Sequence, residues 1–519
     1  MANKKFSQFD LKTNSADVQF VVGYNGTDNV RIAPSNLGGG GASDLNGLSD
    51  CLVDTESLYV GEVPSSLSGN PQNNTSLGID ASRDLTTATQ TTSIGNRAGK
   101  QATTGLGNTN LGYQAGSQNQ AGIFNTNIGN GAGFWNTASY SVFVGYDSGQ
   151  VTGGYNTGIG VSALGKAFSS SCIQSVAVGY RAGHQQTAAN VVMVGFDAAR
   201  ANTATGHISI GSQAGYSNTS GTSNTNIGYY AGYSNTTGGS QVCIGYEAGK
   251  NITGGVNTFI GSGSASGGTG AAFDNTALGQ NSLFALTTGN ANVAIGRKAG
   301  LALTNAADNT LVGYDSGKRI VGGGTNTCVG HSSGYYITSG TGNVTIGRLA
   351  GQSIGAGTNN VAIGNSTDGT INGTNTVVIG YSATSSIANA SNQVTLGNSS
   401  IATLRCAVTS ITAISDERDK TDIEALPYGL DFIDSLQPKK FVWDNRAETD
   451  ADGNEFFSSR KGKKDIGFIA QDLQGVDDDY LNLVYDENPD KLEATYGRLI
   501  PVLVQAIKEL KAEVELLKS

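Results

Sequence analysis

The first residues with reactive potential are the Ser415-Asp416-Glu417-Arg418-Asp419-Lys420 hexapeptide in the C-terminal quarter of the chain. A serine hydroxyl becomes a nucleophile when a neutral lysine amine can take its proton. Lowering such an amine from about 10.4 to about 7.5 requires on the order of 4 kcal/mol from a buried site. Taken alone, the segment reads as a solvated turn. The last 119 residues contain no histidine, so neither a Ser-His-Asp triad nor a Cys-His pair can form within them. Elsewhere, Gly160 to Lys166 spell GVSALGK, close to a phosphate-binding loop, but Ala167 stands where that loop needs a magnesium-binding hydroxyl. His184, His207 and His331 lie far apart, and the five cysteines show no metal-ligand spacing. No metal or cofactor is therefore expected.

The elements carrying these residues follow from composition. Of 519 residues, 75 are Gly and only 7 are Pro, and 14% are charged, which is unlike an ordinary globular enzyme. Residues 1–400 hold 69 glycines, with 16 basic and 17 acidic side chains. Residues 401–519 hold 6 glycines, with 15 basic and 24 acidic. This shift puts a domain boundary near residue 400. The net charge of −10 argues against nucleic acid as a partner. No secretory signal and no membrane-spanning run is read from the sequence, and odd, scattered cysteines favour free thiols in a reducing compartment.

Between Val60-Gly61 and Leu396-Gly397 an aliphatic residue followed by Gly recurs 21 times, at gaps of 15 to 19 residues. The fuller unit is Asn-Thr-x-Ile-Gly-x-x-Ala-Gly, as in Asn125-Thr126-Asn127-Ile128-Gly129 followed by Ala132-Gly133. Apolar residues one and three before the key glycine give the alternation of a short strand. Asn stands four before that glycine in 12 of the 21 copies, which suits a turn cap or a ladder from copy to copy. Units this short cannot bury a core alone, so they must stack into a parallel β-solenoid. The composition predicts a narrow interior of Ile, Val, Ala and Thr, with the Ala-Gly pair where neighbouring backbones come close. Aromatics follow the key glycine in eight copies: Tyr113, Tyr146, Tyr180, Phe196, Tyr229, Tyr246, Tyr314 and Tyr381. They can form either a ladder between coils or chains, or a sugar-binding stripe.

The repeat resembles the left-handed β-roll of trimeric autotransporter adhesin heads and related phage fibre shafts. That resemblance implies three parallel chains around one axis.

The C-terminal segment reads as a mixed domain. Two short β-like stretches within residues 401–425 lead into the polar turn. Helix signals follow at Tyr428–Leu436, at GFIAQDLQ (467–474) and at RLIPVLVQAIKELKAEVELLK (498–518). Ile500, Leu503, Ile507, Leu510, Val514 and Leu517 alternate three and four apart. This is the spacing of a parallel coiled coil, or of one helix packed on its domain.

Ser415-Asp416, Arg418 and Lys420, with LDFIDSLQPKKFVWD (430–444), GFIAQDLQ and RLIPVLVQAIKEL (498–510), resemble the intramolecular chaperone, self-processing domain of phage tail spikes and fibres. An acidic residue usually adjoins the tyrosine of that pattern; here Thr495-Tyr496-Gly497 stands instead. The resemblance implies that Ser415 attacks the carbonyl of Ile414, that Lys420 accepts its proton, and that Asp416 orients the site. Cleavage between Ile414 and Ser415 then releases residues 415–519 after a trimer has formed.

The expectation is therefore a mainly β chain in three parts. Residues 1–45 attach to the virion, 46–400 form the repeat shaft, and 401–519 are a small α+β chaperone domain ending in a coiled-coil helix. The expected partners are two further copies, a phage tail or baseplate protein at the N-terminus, and a bacterial surface receptor such as a polysaccharide. The expected location is the virion tail fibre, assembled in the host bacterial cytoplasm, with no membrane insertion. The alternatives are a polysaccharide-degrading tailspike, which needs paired acids where the repeats offer only Asp147, Asp197 and Glu247, and a bacterial trimeric surface adhesin.

Overall fold

The computed structural model describes residues 21–24, 29–32, 51–54, 56–61, 64, 67–166, 171–368, 372–401, 403–405, 415–444, 446–449, 455–457 and 460–519. The chain is mainly β, and its repeats form a β-solenoid. It divides into two compact units, residues 1–291 and 292–519.

The first unit begins with an antiparallel pair, Val21–Tyr24 with Asn29–Ile32, whose connecting residues lie outside the described set. Cys51–Asp54 then pairs antiparallel with Ser57–Gly61. From Ser57–Gly61 onward the strands pair parallel and in register, so each repeat lies on the next at the same position. Thr109, Asn110 and Leu111 stand against Thr126, Asn127 and Ile128, for example. The second unit continues the pattern from Val293–Ile295 to Val394–Leu396. Every one of the 21 aliphatic-Gly copies ends such a strand, most of them three residues long.

The key glycine is required twice over. Gly112 has φ +133°, and a Cβ there would lie 2.5 Å from the carbonyl oxygen of Gly129 in the next coil. Close backbone approach thus belongs to the Ile-Gly glycine. The glycine of Ala-Gly has a different role, because at Gly133 (φ +58°) a Cβ would strike the Asn127 side chain.

The interior also differs from the expected one. In each short strand the middle residue points inward, as at Phe143, Met193, Cys243 and Phe259, all fully buried. Ala132, Ala182 and Ala231 of the Ala-Gly pairs join them, and Leu303, Ile320, Ile337 and Ile354 line a third column. The Ile or Val before the key glycine faces outward instead. Leu111, Ile159 and Ile346 are about two-fifths exposed, at 42%, 40% and 39%. Side chains alternate across a strand, so residues one and three before the glycine must share a face, and here that face is the outer one.

The column four before the key glycine is a buried ladder. Each Asn amide oxygen accepts the backbone N–H of its copy in the next coil, as from Asn125 to Asn108 at 2.9 Å and from Gln241 to Asn224 at 2.8 Å. Each Asn Nδ2 donates to a carbonyl about one coil on, as Asn224 does to Gly238 at 2.8 Å. Buried polar groups are satisfied along the stack, as their burial demands.

Beyond the last coil lies a small α/β assembly within the second unit. It contains helix α1 (Leu430–Ser435), helix α2 (Ala470–Gln474) and helix α3 (Leu499–Lys518). The antiparallel pairs are Lys439–Val442 with Lys464–Gly467, Glu448–Thr449 with Glu455–Phe456, and Val484–Tyr485 with Glu493–Ala494.

Candidate processing site and its surroundings

The C-terminal assembly is held by one small core, in which Leu473, Leu481, Leu483, Leu499 and Val502 pack against Tyr428, Phe432, Ile433 and Phe468. Pro501 sits in the first turn of α3, where its missing N–H costs no helical hydrogen bond. Carboxylates tie the elements together. Glu509 on α3 accepts the backbone N–H of Leu430 at 2.7 Å, capping α1, and this bond holds its carboxyl below the ordinary range. Gly429 leaves room for that cap, since a Cβ there would lie 1.9 Å from Glu509 Oε2. Asp477 accepts the N–H groups of Leu483 and Val484 at 2.8 and 2.9 Å. The sequence reading found none of these caps. The spacing of Asp477 from Leu483 and of Gly429 from Glu509 carries no local motif. Tyr496, beside which no acid stands, bonds instead to Phe468, its hydroxyl accepting that residue's N–H at 3.2 Å.

The serine and lysine come together. A 3₁₀ turn at Glu417–Asp419 folds the chain back, and Lys420 Nζ donates to Ser415 Oγ at 2.6 Å. Asp416 is the N-cap of that turn. Its Oδ1 accepts the backbone N–H of Arg418 at 2.9 Å, and the Arg418 guanidinium binds both carboxylate oxygens at 3.0 and 2.6 Å. These bonds hold the Asp416 carboxyl below its usual range, the side chain of Arg418 contributing most. Asp416 thus fixes the turn that sets the Ser415–Lys420 spacing. Ser415 and Lys420 are both exposed. Ile414 lies outside the described residues, as do 406–413.

Helix α3 has two apolar faces, of which one packs on its domain. Leu499, Val502 and Ala506 are buried against the domain. Ile500, Leu503, Ile507, Leu510, Val514 and Leu517 are exposed, Ile507 by 65% and Leu517 by 85%. Among the described residues, this second face stays exposed.

On the second unit's last coil, Gln393 Nε2 donates to the Tyr485 hydroxyl at 3.4 Å, and Asn488 Nδ2 donates to the Ser386 carbonyl at 3.2 Å. The final rung of the polar ladder thereby meets the C-terminal assembly.

The shaft's tempting residues are placed as follows. GVSALGK is an ordinary coil turn, with Leu164 fully buried and Lys166 N–H bonded to the His184 carbonyl at 2.8 Å. His207 occupies an Asn-ladder position and is buried, which pushes its pKa down to about 4. The aromatics after the key glycine stack between coils where they are neighbours: Tyr180 with Phe196 at 5.3 Å, and Tyr229 with Tyr246 at 5.4 Å between ring centroids. Tyr113, Tyr146 and Tyr381 are exposed. Asp197 lies 3.7 and 3.8 Å from Arg181 and Arg200, and Glu247 lies 2.8 Å from Lys250, so these two acids are ion-paired in separate coils. Cys172, Cys243 and Cys328 are buried free thiols. Among the described residues, no helix is long and apolar enough to cross a membrane.

Comparison with known proteins gives one match. Residues 415–482 fit the family model for the chaperone of endosialidase, beginning at the serine of the Ser-Lys pair. No curated protein and no solved structure matches the chain. With a β-solenoid ahead of it and a chaperone-of-endosialidase segment at its C-terminal end, the chain has the make-up of a phage tail fibre with a C-terminal chaperone.

Proposed function

We propose that the protein is a homotrimeric phage tail fibre that serves host attachment, and that its C-terminal domain drives trimer assembly and then cuts itself free between Ile414 and Ser415. The observation that carries this reading is the unpartnered heptad face of α3, on a domain of the chaperone family. Six exposed aliphatic side chains at heptad spacing are stable in water only when other helices cover them. The outward Ile and Val columns of the shaft call for the same remedy along its length.

Assembly by a C-terminal guide is physically sensible. A parallel stack made between chains has high contact order and open strand edges while it forms. Joining three C-termini first raises the local concentration of the remaining segments and sets their register. Residues 1–45 would dock to the tail or baseplate, and the shaft would face the bacterial surface. The cleavage chemistry follows from the Ser-Lys pair. Lys420 takes the hydroxyl proton as Ser415 Oγ adds to the Ile414 carbonyl, and that proton passes to the departing Ser415 amine as the peptide bond breaks. Water then hydrolyses the ester left on Ile414, so this sequence requires the amine and oxygen of one serine to act in turn. In one chain the pair is exposed, so the burial that a neutral lysine needs would come from the assembled trimer.

Intact-mass spectrometry with light scattering tests the reading. The expected result is a trimer ending at Ile414 for the wild type and a full-length trimer for Ser415→Ala. Full-length mass in both removes the cleavage step, and a monomer in both removes the fibre.

A further inference from the structure

The turns that follow the key glycine in successive coils of the second unit carry an uneven charge. Arg297, Tyr314, His331 and Arg348 occupy the same place in four consecutive coils. Arg297 donates to the Tyr314 hydroxyl at 3.1 Å, its guanidinium stands 5.3 Å from the centre of that ring, and Tyr314 stacks on His331 at 5.0 Å. Four and five residues further along two of these turns, Lys318 and Arg319 lie 5.0 and 5.6 Å from the Tyr335 ring, and Arg319 lies 4.7 Å from Tyr336. Between residues 297 and 348 there are five Arg or Lys and two Asp. Of the two, only Asp315 belongs to these turns; it is buried and holds Lys318 at 3.0 Å. Asp368, beyond them, is tied to Ser353. Arg297, Tyr314, Arg319, His331, Tyr336 and Arg348 are all exposed.

We propose that this surface, from Arg297 to Arg348, docks an acidic polysaccharide whose carboxylates are carried on its pyranose rings. Guanidinium groups recognise carboxylates through paired N–H bonds, and the hydroxyls of Tyr314 and Tyr336, at the rims of rings whose faces are taken by Arg297, His331 and Arg319, can bond sugar hydroxyls. A carboxylate borne on the sugar ring brings both features into one residue, matching an arginine set beside a tyrosine in one column. Arg297 and Arg348 are three coils apart, about 14 Å at ordinary strand spacing, so the complementary ligand is a polymer with repeated charge and not a single anion. The surface starts two residues past the outward Ile and Val column offered to other chains, as in Ile295-Gly296-Arg297. The inference rests on the attachment reading above and narrows it to one receptor chemistry.

Binding of full-chain protein to polygalacturonate and to neutral dextran of equal length tests it, with light scattering on the same samples. Polygalacturonate is expected to bind, about tenfold more weakly at about 300 mM than at about 50 mM NaCl. Dextran is expected not to bind. The Arg297→Ala/Arg319→Ala/Arg348→Ala variant is expected to lose about tenfold or more in affinity with unchanged melting temperature and trimer mass. Equal binding of dextran, no binding of polygalacturonate by intact trimer, or full retention by the variant overturns the proposal and leaves the fibre reading standing. Loss of the trimer in the variant also overturns it, by assigning the arginines to contacts between chains.

Discussion

Asn326 Oδ1 accepts two hydrogen bonds from Asn343 in the coil above, one from its backbone N–H and one from its side-chain amide, both at 3.0 Å. Asn343 repeats the arrangement with Asn360, at 3.0 and 3.1 Å, and also donates to the Gly357 carbonyl at 2.8 Å. A single amide therefore satisfies buried groups in three coils. Asn343→Leu leaves the Asn360 N–H and the Gly357 carbonyl without partners, and each buried orphan costs about 1–3 kcal/mol. We expect a loss of about 3 kcal/mol or more per chain in denaturant unfolding. The exposed Thr341→Ala in the same coil should change stability by less than about 0.5 kcal/mol. Equal effects from both would mean that the ladder contributes no more than surface polarity does.

The ladder was legible because Asn recurs at a fixed offset from the key glycine. The direction of the strand was not. Alternation shows that residues one and three before the glycine share a face, and the usual inference puts the apolar face inside. In this fold the interior also accepts Asn110, which donates to Ser93 at 3.4 Å and accepts from Asn127 at 2.9 Å, and Thr345, which bonds Ser333 at 2.7 Å. The apolar face is turned outward. At the candidate processing site, the sequence paired Ser415 with Lys420 through resemblance to a family. What it could not supply was Asp416 capping the turn through Arg418, since that depends on the local backbone.

His207 gives the shaft a built-in acid sensitivity. Its Nε2 lies 3.0 Å from Asn218 Nδ2, a donor, so the ring nitrogen there must accept, and a proton would set two donors face to face. Burial is the main cause of its pKa falling from 6.5 to about 4. The unfolded chain takes up the proton first as pH falls, so stability is lost between about pH 6.5 and 4, by about 3 kcal/mol per chain in all. His207→Asn installs the residue type of the next rung, Asn224. It should flatten the pH dependence of the unfolding midpoint in this window; an unchanged slope would locate the titration elsewhere.

Asp416 should set the rate of self-cleavage without being essential to it. Ser415→Ala and Lys420→Ala remove the nucleophile and its base and should stop cleavage altogether. Asp416→Ala removes a cap worth about 1 kcal/mol, so cleavage should slow about fivefold in a time course by intact mass. Because Arg418 keeps the Asp416 carboxyl below its usual range, the cap stays ionised through mildly acidic pH. Any acid limb of the cleavage profile near pH 5 or 6 should therefore persist in the Asp416→Ala variant. Complete loss of cleavage in that variant would give Asp416 a direct part in the chemistry.

The two faces of α3 should respond differently to the same charge. Val502 is 1% exposed within the domain's own core, whereas Ile507 is 65% exposed. Val502→Asp buries an unpaired carboxylate in each chain and should unfold the domain before any assembly. Ile507→Asp leaves the chain's own core intact but puts three like charges at the seam of the proposed trimer. Covering an Ile is worth about 1.5–3 kcal/mol per chain, and that gain is replaced by repulsion. Light scattering should then report monomers, with tryptophan fluorescence from Trp443 unchanged. A trimer that tolerates Ile507→Asp would show that this face is not where the chains meet. It would return α3 to the simpler role of a helix packed on its domain.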